Sequence, residues 1–499
     1  MSATEHFDVL VVGAGISGIG AAYHLQKHCR GKNYVILEGR EDIGGTWDLF
    51  RYPGIRSDSD MYTLGYSFKP WTEAKAIADG PLIMRYLREA VQENGIGDNI
   101  RFGLHVERAS WSSDDARWTV EAQKSNSEAI VHFTCNFLFM CSGYYSYAEG
   151  YTPEFEGVDC FQGQIVHPQK WTDEIDYEGK CVVVIGSGAT AVTLVPELAK
   201  KAAHVTMLQR SPSYVVSRPA EDNLANKMRQ YLPVKLAYFL TRWRYVLLGM
   251  FFFNYCRRNP EKAKTLILGG VRNELGQAYD VEKHFTPYYN PWDQRLCLVP
   301  DSDLFLAIKY GDASVVTDHI DTFTSKGLLL QSGEELEADL VVTATGLQMQ
   351  VLSDVDFTVD GKQVDLSKTL TYKGMMCSDV PNLAMSMGYT NASWTLKCDL
   401  TCEYVCRLLN HMDRNGYRQC CPRNSDPSIT MEPMIDFSSG YVQRTIDKFP
   451  KRGSKIPWKL YQNYALDLFT LRYGAVDDKV MEFSSPEINP PFKVTVKVA

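Results

Sequence analysis

At 499 residues and a net charge of −8 at pH 7, the chain is too long for one hydrophobic core and too acidic for a nucleic-acid partner; two or three domains are expected. Its 13 cysteines are scattered and odd in number, which suits free thiols in a reducing compartment better than a disulfide framework. Met1 to Asp8 is short, acidic and runs directly into a strand, so no signal peptide is expected there and a cytoplasmic location follows.

The first element is the apolar run Val9-Leu10-Val11-Val12, followed by Gly13-Ala14-Gly15-Ile16-Ser17-Gly18 and by apolar residues at helical spacing from Ile19 to Lys27. Strand, glycine turn and helix in that order form the context of a dinucleotide cradle. The glycines let backbone amides approach a pyrophosphate, and the helix N-terminus supplies partial positive charge. Glu38 closes the next strand, Tyr34-Val35-Ile36-Leu37, about 20 residues on, where a carboxylate accepts hydrogen bonds from a ribose diol and repels a 2′-phosphate. This cradle is expected to take FAD or NAD rather than NADP. Farther on, Trp118-Thr119-Val120 and Ile130-Val131-His132-Phe133 read as a hairpin leading into Asn136 to Gly143.

A second cradle, Gly186-Ser187-Gly188-Ala189-Thr190-Ala191, follows Cys181-Val182-Val183-Val184-Ile185. Its next strand, His204 to Leu208, ends in Gln209-Arg210-Ser211 with no acid. A guanidinium at Arg210 would grip a 2′-phosphate through charge-assisted bonds of roughly 1.5 to 3 kcal/mol each, so NADPH is the expected second cofactor. Gly327-Leu328-Leu329-Leu330 leads through a Gly-containing turn to Asp339 to Gly346, echoing the segment after the first cradle. A single glycine turn is weak evidence of a nucleotide site; two, each with its echo, form an internal architectural repeat.

The expected fold class is therefore α/β, with two Rossmann-like dinucleotide-binding domains. Residues 1–150 and 346–499 are assigned to the FAD domain and a C-terminal tail, and 151–171 to a linker. Residues 172–217 and 292–345 are assigned to the NADPH domain, interrupted by a mostly helical insert at 218–291. Within the insert Tyr245 to Cys256 is strongly apolar and flanked by Arg242, Arg244, Arg257 and Arg258. It is too short to span a bilayer, which takes about 20 apolar residues. Burial in a helical subdomain is the favoured reading, and a basic amphipathic element resting on a membrane surface is the alternative. Near the end, Pro381 to Met387 reads as a strand, Gly388 to Ser393 as a turn, and a long helix runs on through His411, capped by Asn391 or Ser393 and aimed at the flavin. Cys398, Cys402 and Cys406 recur every four residues along it; this spacing suits buried packing better than a tetrahedral site, and no metal is expected. A flavin disulfide reductase would need a cysteine pair after the first cradle, and only Cys29 lies between Ile19 and Trp71.

Between the cradles stands Phe161-Gln162-Gly163-Gln164-Ile165-Val166-His167-Pro168-Gln169-Lys170-Trp171. It resembles the Phe-x-Gly-x-x-x-His-x-x-x-Trp fingerprint of type I Baeyer-Villiger monooxygenases, and the resemblance covers nearly the whole chain. The stretches Asp48 to Asp58, Tyr289 to Arg295 and Gly388 to Trp394 are most similar to the bacterial, ethionamide-activating members of that family, and Gly44-Gly45-Thr46-Trp47 resembles the second glycine turn of FAD-binding oxygenases. The resemblance implies that NADPH reduces FAD, that the reduced flavin captures O2 as a peroxyflavin, and that a ketone becomes an ester or lactone. Sulfides and thioamides would be oxygenated by the same route. Arg295 matches the family's active-site arginine and Asp58 the carboxylate that positions it; Trp47 and Trp394 would border the flavin. Thr172 stands where the family usually has Pro or Asp, and Gln294 where many relatives carry a second cofactor-gripping Lys, which weakens the NADPH preference. His167 and Trp171 are read as hinge or packing residues rather than proton carriers. The rival readings are a flavin N- or S-monooxygenase without carbonyl insertion and a non-catalytic redox sensor or membrane-surface scaffold. Substrate walls are expected from the insert, Tyr288 to Trp292 and the tail.

Overall fold

The computed structural model describes residues 4–125 and 127–486. Its first sheet is organised by Glu5–Val12, which lies parallel to both Tyr34–Leu37 and Ile130–Met140, with Val9 opposite Tyr34 and Phe137. Val9, Leu10 and Val11 are wholly buried, because a parallel strand covered on both faces needs an unbroken apolar run. Besides Glu5–Val12, Ile130–Met140 serves two further partners. Its first half forms the expected hairpin with Arg117–Lys124, and its last three residues pair with Leu383–Met385. The strand read over 381–387 is thus only three residues long. A further return segment, Asp356–Val359, runs parallel to Leu104–Ser112, so after Gly346 the chain rejoins the first sheet at two places.

The second sheet is all parallel, in the order Ala313–Thr317, His204–Gln209, Cys181–Ile185, Leu340–Thr343, Gln164–Val166. Its edge strand is a finding, since Gln164–Val166 belongs to the stretch read as linker: Ile165 and Val166 are β-branched and pair with Val341 and Val342. The echo of the second cradle also differs. Gly327–Leu330 does not turn directly into Leu340–Thr343 but is the centre of a three-stranded antiparallel sheet with Ile320–Phe323 and Glu335–Glu337.

The insert is helical, comprising Asn223–Tyr231, Val234–Arg258, Pro260–Leu275 and Val281–Phe285. The inner face of the long helix is tied down at Arg242, which donates to the carbonyls of Tyr62 and Gly65 at 2.8 and 2.7 Å and faces Asp399 at 3.5 Å. Arg244 pairs with Asp222, the N-cap of the preceding helix. The expected burial of Tyr245 to Cys256 holds only for this inner face. Leu247, Leu248 and Phe251 are 57, 58 and 71 % exposed, because the helix is apolar on both faces and the chain covers only one. Among the described residues no helix is long and apolar enough to cross a membrane.

The late helix, Trp394–Asn415, ends at Gly416 in the left-handed region (φ +70°) and packs against Ile16–His28. Cys398, Cys402 and Cys406 are buried in its core face, and all thirteen cysteines are free thiols. Ser393 occupies the N-cap position without capping. Its hydroxyl bonds Thr63 Oγ1 at 2.6 Å, and Asn391 donates to the carbonyl of Gln462, so neither side chain caps the helix as expected.

Candidate active site

Both cradles have the shape a pyrophosphate requires. Gly13 and Gly186 sit at φ +102° and +140°, and a Cβ at either would press on the carbonyl of Cys141 or Ala344. At the second glycine of the second cradle, Gly188, nothing lies within 4 Å of where a Cβ would stand, which leaves the approach open for a phosphate. Gly18 lies behind the first turn, tight against Gly13, and Ala191 takes the corresponding place behind the second, fully buried. Glu38 is 4 % exposed and accepts from the amides of Ala14 and Arg40 at 2.7 and 2.9 Å. Burial pushes its carboxyl above the ordinary range while those amides hold it down. A carboxylate offers about four acceptor positions, so it retains capacity for a ribose hydroxyl.

The two cradles open on one cavity of about 1170 Å³, larger than the roughly 300 to 1,000 Å³ of a pocket for a single drug-sized ligand. Gly13, Gly15, Glu38, Gly45, Thr46, Trp47 and Trp394 line its first end. Gly186, Gly188, Arg210, Ser211 and Gly346 line the second. Arg210 is exposed and makes no ion pair among the described residues. Trp394 is held by its indole N–H, which donates to Ser17 Oγ at 2.8 Å.

Asp58 and Arg295 also line the cavity, and they are brought together from residues 237 positions apart. Asp58 ends a loop that crosses to the second cradle's helix, Ala189–Leu198. In that loop Arg56 bonds the carboxylate of Asp303 at 2.5 Å and the carbonyl of Val192 at 3.5 Å. Arg295 stands two residues before the first residue of the strand Cys297–Pro300. Its Nε lies 2.8 Å from Asp58 Oδ2 and its Nη2 3.2 Å from Oδ1, a two-pronged pair that fixes the guanidinium plane. The neighbouring Asp58 charge holds the arginine well above its ordinary pKa against the opposing effect of burial.

Three tyrosines that sequence reasoning missed face this arginine: Tyr144, Tyr145 and Tyr441. Burial pushes Tyr145 and Tyr441 up, so both remain neutral hydroxyls. Tyr144 and Tyr145 share a 3.1 Å hydrogen bond, and the Tyr144 ring lies 5.0 Å from that of Trp394. Their signal was their place just past a parallel strand, Ile130–Met140, where α/β sheets put their ligands. Tyr441, from the tail, carried none.

The fingerprint residues Phe161, Gly163, His167 and Trp171 do not line the cavity. His167 Nε2 meets the carbonyl of Gly346 at 3.1 Å, and Nδ1 accepts from the amide of Gln169 at 3.1 Å. One neutral tautomer satisfies both contacts, and burial lowers the pKa in keeping with it. Trp171 is buried against Tyr177, Phe161 packs on Phe323, and a Cβ at Gly163 would press on the carbonyl of Asp339 and the Phe161 ring. Beyond Arg295 a second cavity of about 220 Å³ is walled by Val246, Met250 and Phe253 of the insert, by Trp292, and by Tyr461 and Tyr464 of the tail.

Residues 66–246 match the flavin-binding monooxygenase-like family, and residues 11–79 match an NAD(P)-binding Rossmann-like domain. The chain is 52 % identical over 482 residues to the FAD-containing monooxygenase EthA of Mycobacterium tuberculosis, covering 96 % of this chain and 98 % of that protein. The open crystal structure of cyclohexanone monooxygenase superposes with a TM-score of 0.75 at 20 % identity, over 97 % of this chain and 100 % of the other. Oxidized steroid monooxygenase bound to NADP superposes with a TM-score of 0.71 at 22 % identity, over 84 and 88 % of the two chains. These two likenesses are of fold.

Proposed function

The chain belongs to the family of FAD-containing monooxygenases, and we propose that it is a Baeyer-Villiger enzyme that uses FAD, NADPH and O2 to convert small ketones to esters or lactones. Sulfides and thioamides are its further substrates on this reading. FAD sits on the first cradle beside Glu38, Gly45, Thr46 and Trp47, and NADPH on the second, with Arg210 and Ser211 at its 2′-phosphate. Reduced by NADPH, FAD supplies the activated oxygen that enters the substrate.

The observation that carries the reading is the Asp58–Arg295 pair, set in the cavity that both cradles share. Oxygen transfer to a carbonyl develops negative charge in the pocket, and a fixed cation stabilises it without reorganisation. Arginine suits the task because its pKa stays above about 12, so it holds its proton where Lys or His would release one. Asp58 holds the guanidinium plane, and Tyr144, Tyr145 and Tyr441 line the cavity beside it. His167 ties the fingerprint segment to Gly346 and so links the edge strand of the second sheet to the return toward the first, a hinge role rather than proton transfer.

Incubating the FAD-loaded enzyme with NADPH, air and a panel of linear, cyclic and aryl ketones tests the reading. Ester or lactone in proportion to NADPH consumed is expected. Sulfoxide from sulfides with no carbonyl insertion on any ketone would replace it by the N- or S-oxygenating alternative.

A further inference from the structure

The outer face of Val234–Arg258 has no partner in the described chain. Leu236, Leu240, Leu247 and Phe251 stand four, seven and four residues apart, which places them on one stripe of the helix, and they are 44, 41, 57 and 71 % exposed. Phe239 adds to the same side at 55 %. The opposite side, with Tyr238, Arg242 and Val246, is buried. A stripe this continuous marks a contact surface rather than scattered apolar residues.

Charge identifies the contact. Residues 223–264 carry nine Lys and Arg against Glu261 alone; Arg242, Arg244 and Arg257 are paired with Asp399, Asp222 and Asp293, which leaves the segment positive in a chain whose total is −8. Lys227, Lys235, Arg258 and Lys262 are exposed and form no ion pair among the described residues, and Arg258 falls on the stripe itself, seven residues beyond Phe251. A second copy of the chain docked by two-fold symmetry would set this positive face against itself. An anionic bilayer instead accepts the apolar side chains into its headgroup boundary while its phosphates meet the lysines and arginine.

The inner side of the same helix walls the 220 Å³ cavity that reaches Asp58 and Arg295. We infer that the outer face of Val234–Arg258 seats the protein on an anionic phospholipid bilayer, and that apolar substrates enter the cavity beside Arg295 from the lipid. The docking stands on the helix alone; the entry route also rests on the monooxygenase reading above.

Flotation of the FAD-loaded full chain with vesicles of phosphatidylcholine, with and without phosphatidylglycerol, tests the docking. Binding to the anionic vesicles is expected, weakened by salt. The triple variant Leu240→Ser/Leu247→Ser/Phe251→Ser lowers vesicle affinity at least tenfold, and Lys235→Gln/Arg258→Gln/Lys262→Gln lowers it roughly fivefold per charge removed. Turnover of a short, water-soluble ketone is unchanged in both variants, while turnover of a long-chain ketone dissolved in the vesicles falls in step with binding. The charge variant leaves every apolar contact in place, so it keeps the test decisive if the serine variant does not fold. Equal vesicle binding by wild type and the charge variant would overturn the inference, as would a wild-type dimer in solution that ignores vesicles and dissociates in the serine variant. Vesicle binding without oxygenation of any substrate would uphold the docking and sink the activity.

Discussion

Replacing Asp58 by Asn keeps the shape of the side chain and removes the charge that holds Arg295. The two side chains are 29 and 34 % exposed, so solvent screens their attraction. Two unit charges about 4 Å apart gain roughly 4 kcal/mol at an effective dielectric of 20 and roughly 1 kcal/mol in water, and fully exposed pairs yield about 1 kcal/mol or less. The loss is therefore about 1 to 3 kcal/mol, a drop of roughly 5- to 150-fold in oxygenation rate. The assay is the kcat for ester formation together with the fraction of consumed NADPH recovered as ester rather than hydrogen peroxide. Anaerobic reduction of the flavin by NADPH, followed by stopped flow, stays at the wild-type rate because Asp58 is assigned no part in it. An Asp58→Asn enzyme with unchanged ester yield, or one slowed equally in flavin reduction with its yield intact, would refute the positioning role.

Arg210→Ala raises the KM for NADPH about 10- to 100-fold and leaves the KM for NADH unchanged, since only the 2′-phosphate contact is lost; an equal change for both cofactors would make Arg210 merely structural. Gly18→Ala drives a methyl group into the carbonyl of Gly13, so the purified protein should lose FAD absorbance, whereas Gly188→Ala, in the second cradle, should keep it and raise the KM for NADPH. Arg242→Met leaves the buried Asp399 with His24 and the amide of Ser67 but no arginine and withdraws donors from two carbonyls, so it destabilises the fold by about 3 to 5 kcal/mol, read as a lowered urea midpoint.

The cradles were legible because a parallel strand buried on both faces must be an unbroken apolar run, as in Val9 to Val12 and Val182 to Ile185, and because the glycines that follow have few other uses in that position. Gln164–Val166 and Glu335–Glu337 were not, being three residues long and half polar, with their pairing set by distant partners. The apolar character of the long insert helix was plain, but periodicity says which residues share a face and not whether the fold supplies a neighbour for it. Arg295 and Asp58 were readable only through motif resemblance. Nothing local links two residues that far apart, and Tyr441 entered the site from a tail whose path depends on packing against the finished sheets. The expected caps failed for a related reason: Thr63, remote in sequence, takes the hydroxyl of Ser393, and Asn391 stands two residues before the N-cap position with its amide nitrogen donating to the carbonyl of Gln462.

The central claim is that Arg295 serves oxygen transfer and not cofactor reduction. Arg295→Ala enzyme, loaded with FAD and given NADPH, air and a ketone that the wild type converts, should reduce its flavin at the wild-type rate. It should return the NADPH equivalents as hydrogen peroxide with ester formation cut by at least ~100-fold, the scale of losing one preorganised charge stabiliser. Ester formed at the wild-type rate would contradict the account.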